Sequence, residues 1–270
     1  MACNHDCKSC GENCGKNTNL MFEPNELNQI GKIIGVVSGK GGVGKSLVTS
    51  MLAVNLANAG FKVGILDADI TGPSIPKAFG LKNGIEGADN LMFPALTKKG
   101  IKVMSINLLM DNPEAPVLWR GPVVGGALKQ FYSETLWQDL DFLLIDMPPG
   151  TSDVAITVFQ SIPVDGLILV STPQDLVKMI VGKAVNMANQ MKIKIVGLVE
   201  NMAYMECPCC GNPLYPFGPS KLIEVADHYN IKPIASLPIK SDIAKYVDEG
   251  NIEDVDVKSF DVIRKAVEEF

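Results

Sequence analysis

The run Gly39-Lys40-Gly41-Gly42-Val43-Gly44-Lys45-Ser46 has the residue types and spacing to grip a chain of phosphates. It fits the pattern G-x-x-x-x-G-K-[ST]. Its glycines open backbone conformations closed to other residues and leave N–H groups free to point at phosphate oxygens. The helix expected directly after it adds the partial positive charge of its N-terminus. In that setting Lys45 is expected to reach the β- and γ-phosphates, and the Ser46 hydroxyl to ligate Mg²⁺. Lys40 is an extra lysine near the start of the loop, where it would crowd positive charge beside Lys45 without an anion to neutralise it. In an ordinary loop of this pattern, the lysine would be only a solvated surface charge.

Carboxylates follow two aliphatic runs. Val63 to Leu66 leads into Asp67-Ala68-Asp69, and Phe142 to Ile145 leads into Asp146-Met147-Pro148-Pro149-Gly150. In an open α/β sheet, ligands bind beyond the carboxyl ends of the strands. Asp146 therefore suits the outer coordination of Mg²⁺, Asp69 the orientation of an attacking water, and Asp67 a place beside the metal. The plainer alternative for each is a helix cap or turn aspartate. The Pro-Pro-Gly after Asp146 restricts and then frees the backbone, as a loop sensing the γ-phosphate needs. Asn201, just after the run Ile195 to Val199, is placed either to bond a purine edge or to form a turn.

Seven cysteines fall in two clusters. Cys207 and Cys210 have Cys-x-x-Cys spacing, and two thiolates fill half of a tetrahedral zinc site or of a four-iron cluster. The other half must come from the tail or from another chain, and a two-fold dimer supplies it symmetrically. Spacing alone favours zinc here, and Cys209 has no assignable role. Cys3, Cys7, Cys10 and Cys14 form a second set that suits a cluster or zinc, with His5 as a spare ligand. The tail Met1 to Lys16 is polar and lacks the apolar core of a secretory signal. A reducing, cytoplasmic setting is expected, where clustered cysteines more often bind metal than pair.

The elements that must position these groups alternate. Strands are expected at Ile33–Val37, Val63–Leu66, Phe142–Ile145, Gly166–Val170 and Ile195–Val199. Helices are expected at Leu47–Ala59, Gly126–Trp137, Asp153–Ser161, Leu176–Met191 and Pro219–His228. The strands are near-continuous aliphatic runs, the mark of a parallel sheet covered on both faces. Their order with the helices predicts an α/β fold, a doubly wound and mostly parallel sheet. Between Gly84 and Leu118 the rhythm breaks into short pieces that suit a hairpin, and Trp119-Arg120-Gly121-Pro122 suits a helix start. Residues 1–28 read as a Cys-rich tail too poor in large apolar side chains to fold alone, and 29–270 as the domain that carries the phosphate loop, with the Cys-x-x-Cys insert near 207–210. At 270 residues and 47% hydrophobic, with mean hydropathy +0.18, the chain has ample core. No apolar run reaches the roughly eighteen residues of a membrane span. A net charge of −6 and an isoelectric point near 5.0 argue against nucleic-acid or anionic-membrane binding.

Taken in order, the loop at 39–46, Asp-Ala-Asp-Ile-Thr-Gly-Pro-Ser at 67–74, Trp-Arg-Gly-Pro at 119–122, Asp-Met-Pro-Pro-Gly-Thr-Ser-Asp at 146–153, and Glu-Asn-Met with Cys207 and Cys210 closely resemble the Mrp/ApbC family. These are deviant-loop ATPases that carry and transfer iron–sulfur clusters, within a superfamily that includes MinD and ParA. The resemblance spans residues of about 30 to 250 and implies a homodimer using ATP and Mg²⁺. It also implies a [4Fe–4S] cluster bridged by Cys207 and Cys210 of both subunits and delivered to apo iron–sulfur proteins. Lys40 would then act across the dimer, Asp69 would activate water, and Asn201 would touch adenine. The nucleotide contacts expected are Gly39 through Leu47 with Asp67, Asn201 and Pro238. Three features depart from the family. The tail's cysteine spacing is tighter than in the eukaryotic cytosolic branch, Cys209 lies outside the usual pair, and Val123 stands where Met is frequent. Two other classes compete with the carrier. A positioning ATPase predicts DNA or membrane binding, and a redox enzyme like the nitrogenase iron protein uses more widely separated single cysteines.

Overall fold

A strand buried on both faces needs apolar side chains at every position, and this requirement organises the molecule. The computed structural model describes residues 21–70, 72, 74–82, 84–110, 121–150, 152–174 and 177–270. Its strands are β1 (Gln29–Ser38), β2 (Val63–Asp67), β3 (Gly87–Ala88), β4 (Leu91–Met92), β5 (Ala95–Leu96), β6 (Lys102–Met104), β7 (Asp139–Asp146), β8 (Gly166–Ser171), β9 (Lys194–Glu206), β10 (Pro213–Leu214) and β11 (Pro233–Pro238). Its α-helices are α1 (Lys45–Asn58), α2 (Ile75–Ala78), α3 (Gly121–Ser133), α4 (Asp153–Ser161), α5 (Val177–Met191), α6 (Leu222–Tyr229), α7 (Ser241–Asp248) and α8 (Asp261–Glu269).

The order β11-β9-β8-β1-β7-β2-β6 is parallel throughout, with β5 antiparallel on β6 and β10 antiparallel on the end of β9. Successive residues of one strand feed opposite cores. Ile33, Val37, Leu143, Ile145, Leu167 and Leu169 pack beneath α3, α4 and α5 with Phe131, Phe159 and Val185. Ile34, Val36, Leu144, Ile168 and Val170 pack on the other face, against Leu52 and Leu56 of α1 and Ile263 of α8. The expected doubly wound α/β architecture is present. β1 lies between β7 and β8, so the chain leaves it toward both halves of the sheet, and the loop after β1 opens at that switch point.

Helix ends follow local chemistry. α1 closes where Gly60 takes φ 93°, with Gly60 N bonded to Ala57 O at 3.0 Å and Phe61 N to Leu56 O at 3.2 Å, a Schellman end. The expected hairpin is β3–β4, turned through Asp89 (φ 52°) and Asn90 (φ 64°), the left-handed pair that a tight hairpin requires. Three boundaries differ from expectation. α3 starts at Gly121, five residues before Gly126, and ends at Ser133. Trp137, expected inside it, lies beyond, fully buried, with Nε1 donating to Phe131 O at 3.2 Å. α6 begins at Leu222 where Pro219 was expected. β9 continues seven residues past Val199 to Glu206, because β11 and β10 pair with its second half.

Candidate functional site: a phosphate loop, a carboxylate pair and a thiol hairpin

The loop Gly39–Gly44 joins the buried end of β1 to α1. Gly44 is the N-cap of α1 at φ 81°, and the helical ladder begins with Val48 N on Gly44 O at 2.9 Å. The N–H groups of Lys45, Ser46 and Leu47 precede that ladder, where an anion is favoured. A Cβ on Gly44 would lie 2.3 Å from Asn201 Nδ2, which donates to Val43 O at 2.9 Å. Gly39 is required for a different reason: a Cβ there would stand 2.5 Å from the Ile180 carbonyl of α5. The backbone of the loop is thus shaped from both sides. It bounds a cleft of about 260 Å³ lined by Gly41, Gly42, Gly44, Lys45, Ser46, Leu47, Asp69 and Pro149.

Sheet register brings the carboxylates to that cleft. Asp67 and Asp146 are direct cross-strand partners at the ends of β2 and β7, and Asp146 is also level with Val36 of β1. Both are fully buried. Lys45 Nζ lies 2.7 Å from Asp146 Oδ1 and 3.8 Å from Asp69 Oδ2. Ser46 Oγ donates to Asp146 Oδ2 at 2.5 Å, and Thr49 Oγ1 donates to Asp146 Oδ1 at 2.9 Å. Asp67 accepts from Ser105 Oγ at 3.0 Å and from Asp69 N at 3.2 Å. Burial pushes the Asp67 carboxyl well above the usual carboxylate range, and the neighbouring Asp146 pushes it the same way. Burial also raises Asp146, opposed by the Lys45 ammonium and by the hydroxyls of Ser46 and Thr49. Ser46 Oγ and the Asp146 carboxyl meet at the cleft, a pair of oxygens of the kind a hard divalent cation takes. The following loop docks on β1 through Gly150 N, which donates to Ser38 O at 2.8 Å with Gly150 at φ 74°.

Beside the first turn of α1, Leu47, Met51, Asn201, Leu237, Pro238 and Lys240 line a narrow apolar slot. Asn201 and Pro238, far apart in sequence, meet there because β11 pairs with β9. Asn201 lies inside β9 and not after a strand, and Met202 beside it holds φ 57°.

Farther along β9, the chain turns through Cys207–Asn212 into β10. Cys207 N donates to Asn212 O at 2.9 Å, and Gly211, at φ 72°, donates to Cys207 O at 2.8 Å. Backbone N–H groups of Cys209 and Cys210 bond the Cys207 sulfur and hold its thiol below the ordinary value, with the Cys210 side chain adding to the effect. Cys207 is half-buried, whereas Cys209 and Cys210 are exposed, and all three are free thiols. Among the described residues no group of three or more metal-ligating side chains converges, so the described part of one chain offers a pair of thiolates here and no closed site.

A family model described as NUBPL iron-transfer P-loop NTPase, of the ParA group, matches residues 29–269. The chain belongs to that family. A relative from Clostridium perfringens called an iron–sulfur cluster carrier protein is 49% identical over 233 residues, covering 83% of this chain and 82% of that one. A protein of the same description from Methanococcus maripaludis is 41% identical, covering 88% and 85%. Among solved structures, a nucleotide-binding protein from Archaeoglobus fulgidus in complex with ADP superposes with TM-score 0.74 at 48% identity, over 83% of this chain and 88% of that one. The cell-division ATPase MinD of Pyrococcus furiosus, at 20% identity and TM-score 0.63 over 88% of this chain and 99% of that one, shares the fold.

Of the expected site residues, Gly41, Gly42, Gly44 to Leu47 and Asp69 line the cleft. Asp146 bonds Lys45 and Ser46 behind it, Asp67 bonds Asp69 N, and Asn201 and Pro238 line the neighbouring slot. Gly39 packs on Ile180, and Val43 O accepts from Asn201. Lys40 Nζ donates to Gln174 Oε1 of its own chain. Cys3, Cys7, Cys10, Cys14, Trp119 and Arg120 lie outside the described residues. Three further residues contribute that no sequence motif marks: Thr49, Ser105 and Gln174. Thr49 stands four residues after Lys45 on α1, one helical turn on and so on the same face. Ser105 and Gln174 carry no spacing signal, because β6 and β8 bring them in. No helix of the described residues is long and apolar enough to cross a membrane.

Proposed function

We propose that this chain is an ATP-dependent carrier of a [4Fe–4S] cluster, which two copies hold between them and hand to apo iron–sulfur proteins. The observation that carries the reading is the exposed Cys207–Cys210 hairpin. It is built on the same strand, β9, whose Asn201 ties the phosphate loop through Val43 O. Cargo and nucleotide thus sit on one rigid element, so a change at the loop has a direct path to the thiolates. A single pair of thiolates is half of what a four-iron cluster needs, which makes a second copy part of the site.

In this reading the loop N–H groups and Lys45 hold the triphosphate, and Leu47, Asn201 and Pro238 border the base. Asp69, at the cleft edge and salt-bridged to Lys45, orients the attacking water. Ser46 and Asp146 hold Mg²⁺, which when bound neutralises charge on the phosphates. Asp67 keeps Asp69 in place through the Asp69 N–H. Lys40 of each copy reaches the nucleotide of the other. Turnover is slow until a partner completes the site, as in many switch NTPases. The tail cysteines Cys3, Cys7, Cys10 and Cys14 form a second metal centre.

Anaerobic reconstitution of the full chain tests this. About four irons per two chains are expected at this site, and they should be lost in Cys207→Ala and in Cys210→Ala. A product that binds only zinc at this pair would overturn the proposal.

A further inference from the structure

Gln174, just after β8, and Ile180, in α5, have no place in the phosphate-binding pattern, yet each holds the loop. β8 and β1 are hydrogen-bonded neighbours, with Val170 level with Ser38. Two residues beyond Ser38 stands Lys40, and four beyond Val170 stands Gln174. Ser38 Oγ donates to the Lys40 carbonyl at 3.0 Å, which fixes the lysine backbone. The Lys40 ammonium donates to Gln174 Oε1, which fixes the other end of the side chain. Ile180, at the start of α5, sits so close to Gly39 that no side chain fits between them. The loop is thus held against Gln174 at one end and against Ile180 at the other.

We propose that Gln174 is a positioning residue, a resting site that keeps the Lys40 ammonium on its own chain until the phosphates of a second copy take it. The proposal rests on the reading that Lys40 acts across a dimer. The chemistry of the acceptor supports a temporary contact. The amide oxygen of Gln174 is neutral, so its bond to the ammonium lacks the attraction between opposite charges that a phosphate oxygen adds. Lys40 thus has a partner while alone and a better one once a loaded second copy arrives. A carboxylate at the same position would hold the amine too firmly, and an apolar side chain would leave it free. Holding the amine aside also lowers the fraction of chains ready to associate, which raises the ATP concentration needed for pairing. Gln174 would in this way suppress association without nucleotide.

The test compares Gln174→Met, which keeps the size and removes the acceptor, with Gln174→Glu, which strengthens it. In the nucleotide-free full chain, amine acylation read by peptide mass spectrometry should label Lys40 about tenfold faster in Gln174→Met, equivalent to about 1.4 kcal/mol. Labelling should be slower than wild type in Gln174→Glu. In sedimentation, the ATP concentration giving half association should fall in Gln174→Met and rise in Gln174→Glu. A merely structural glutamine would move both variants in one direction, and that result, or no change in labelling, overturns the proposal. Lys40→Ala separates the two ideas. If it leaves ATP-driven association intact, the cross-dimer role of Lys40 fails, while the labelling result still reports on the resting contact.

Discussion

Replacing Gly44 by alanine should damage the phosphate loop in two separable ways. The backbone at Gly44 has φ 81° and ψ 27°, a left-handed conformation that costs an L side chain about 1–2 kcal/mol. The new Cβ would also stand 2.3 Å from Asn201 Nδ2, inside any tolerable contact. Asn201 must then swing away and lose its 2.9 Å bond to Val43 O, leaving buried polar atoms unpaired at a cost of about 1–3 kcal/mol. The sum is about 2–5 kcal/mol of folding stability. Asn201→Ala removes the same hydrogen bond and the obstacle together. In that background Gly44→Ala should cost only the backbone part, so the double variant falls short of additivity by about 1–3 kcal/mol. Urea unfolding of the four nucleotide-free proteins measures this cycle. Additivity within about 0.5 kcal/mol would show that Gly44 and Asn201 do not press on each other and would refute the account of how β9 shapes the loop.

Two further outcomes follow from the buried acids. Because burial and Asp146 raise the folded-state pKa of Asp67, its contribution to stability is complete below about pH 4 and is lost as pH rises through the folded value. Asp67→Asn should therefore gain stability relative to wild type as pH rises from 4 to 8 in chemical denaturation without nucleotide, and a pH-independent difference would contradict this. Ser105 can exchange its donor role for an acceptor role toward the new amide, so the substitution fits the site. Thr49→Val keeps the volume but removes a donor from the fully buried Asp146, and should destabilise the nucleotide-free protein by about 1–3 kcal/mol. Thr49→Ser should restore most of that loss, and equal stability of all three proteins would show that the hydroxyl is idle.

The sequence by itself was enough for the phosphate loop, the parallel sheet and the aspartates at two strand ends. Each is a local pattern: glycines at fixed spacing, aliphatic runs that need cover on both sides, and a carboxylate where a buried strand emerges. α1 could be read to its end because Gly60 closes it by local hydrogen bonds alone. Tertiary structure decided what pairing and register determine. β9 runs on to Glu206 because β10 and β11 pair with its outer half, and this puts Asn201, expected just past a strand, inside one that supports the loop. Asp67 and Asp146 become neighbours through a cross-strand register, and Ser105 joins them because β6 pairs with β2. Gln174 meets Lys40 by the adjacency of β8 and β1. Local spacing records which conformations a segment favours, whereas these contacts arise between segments whose separation along the chain says nothing of their distance in space.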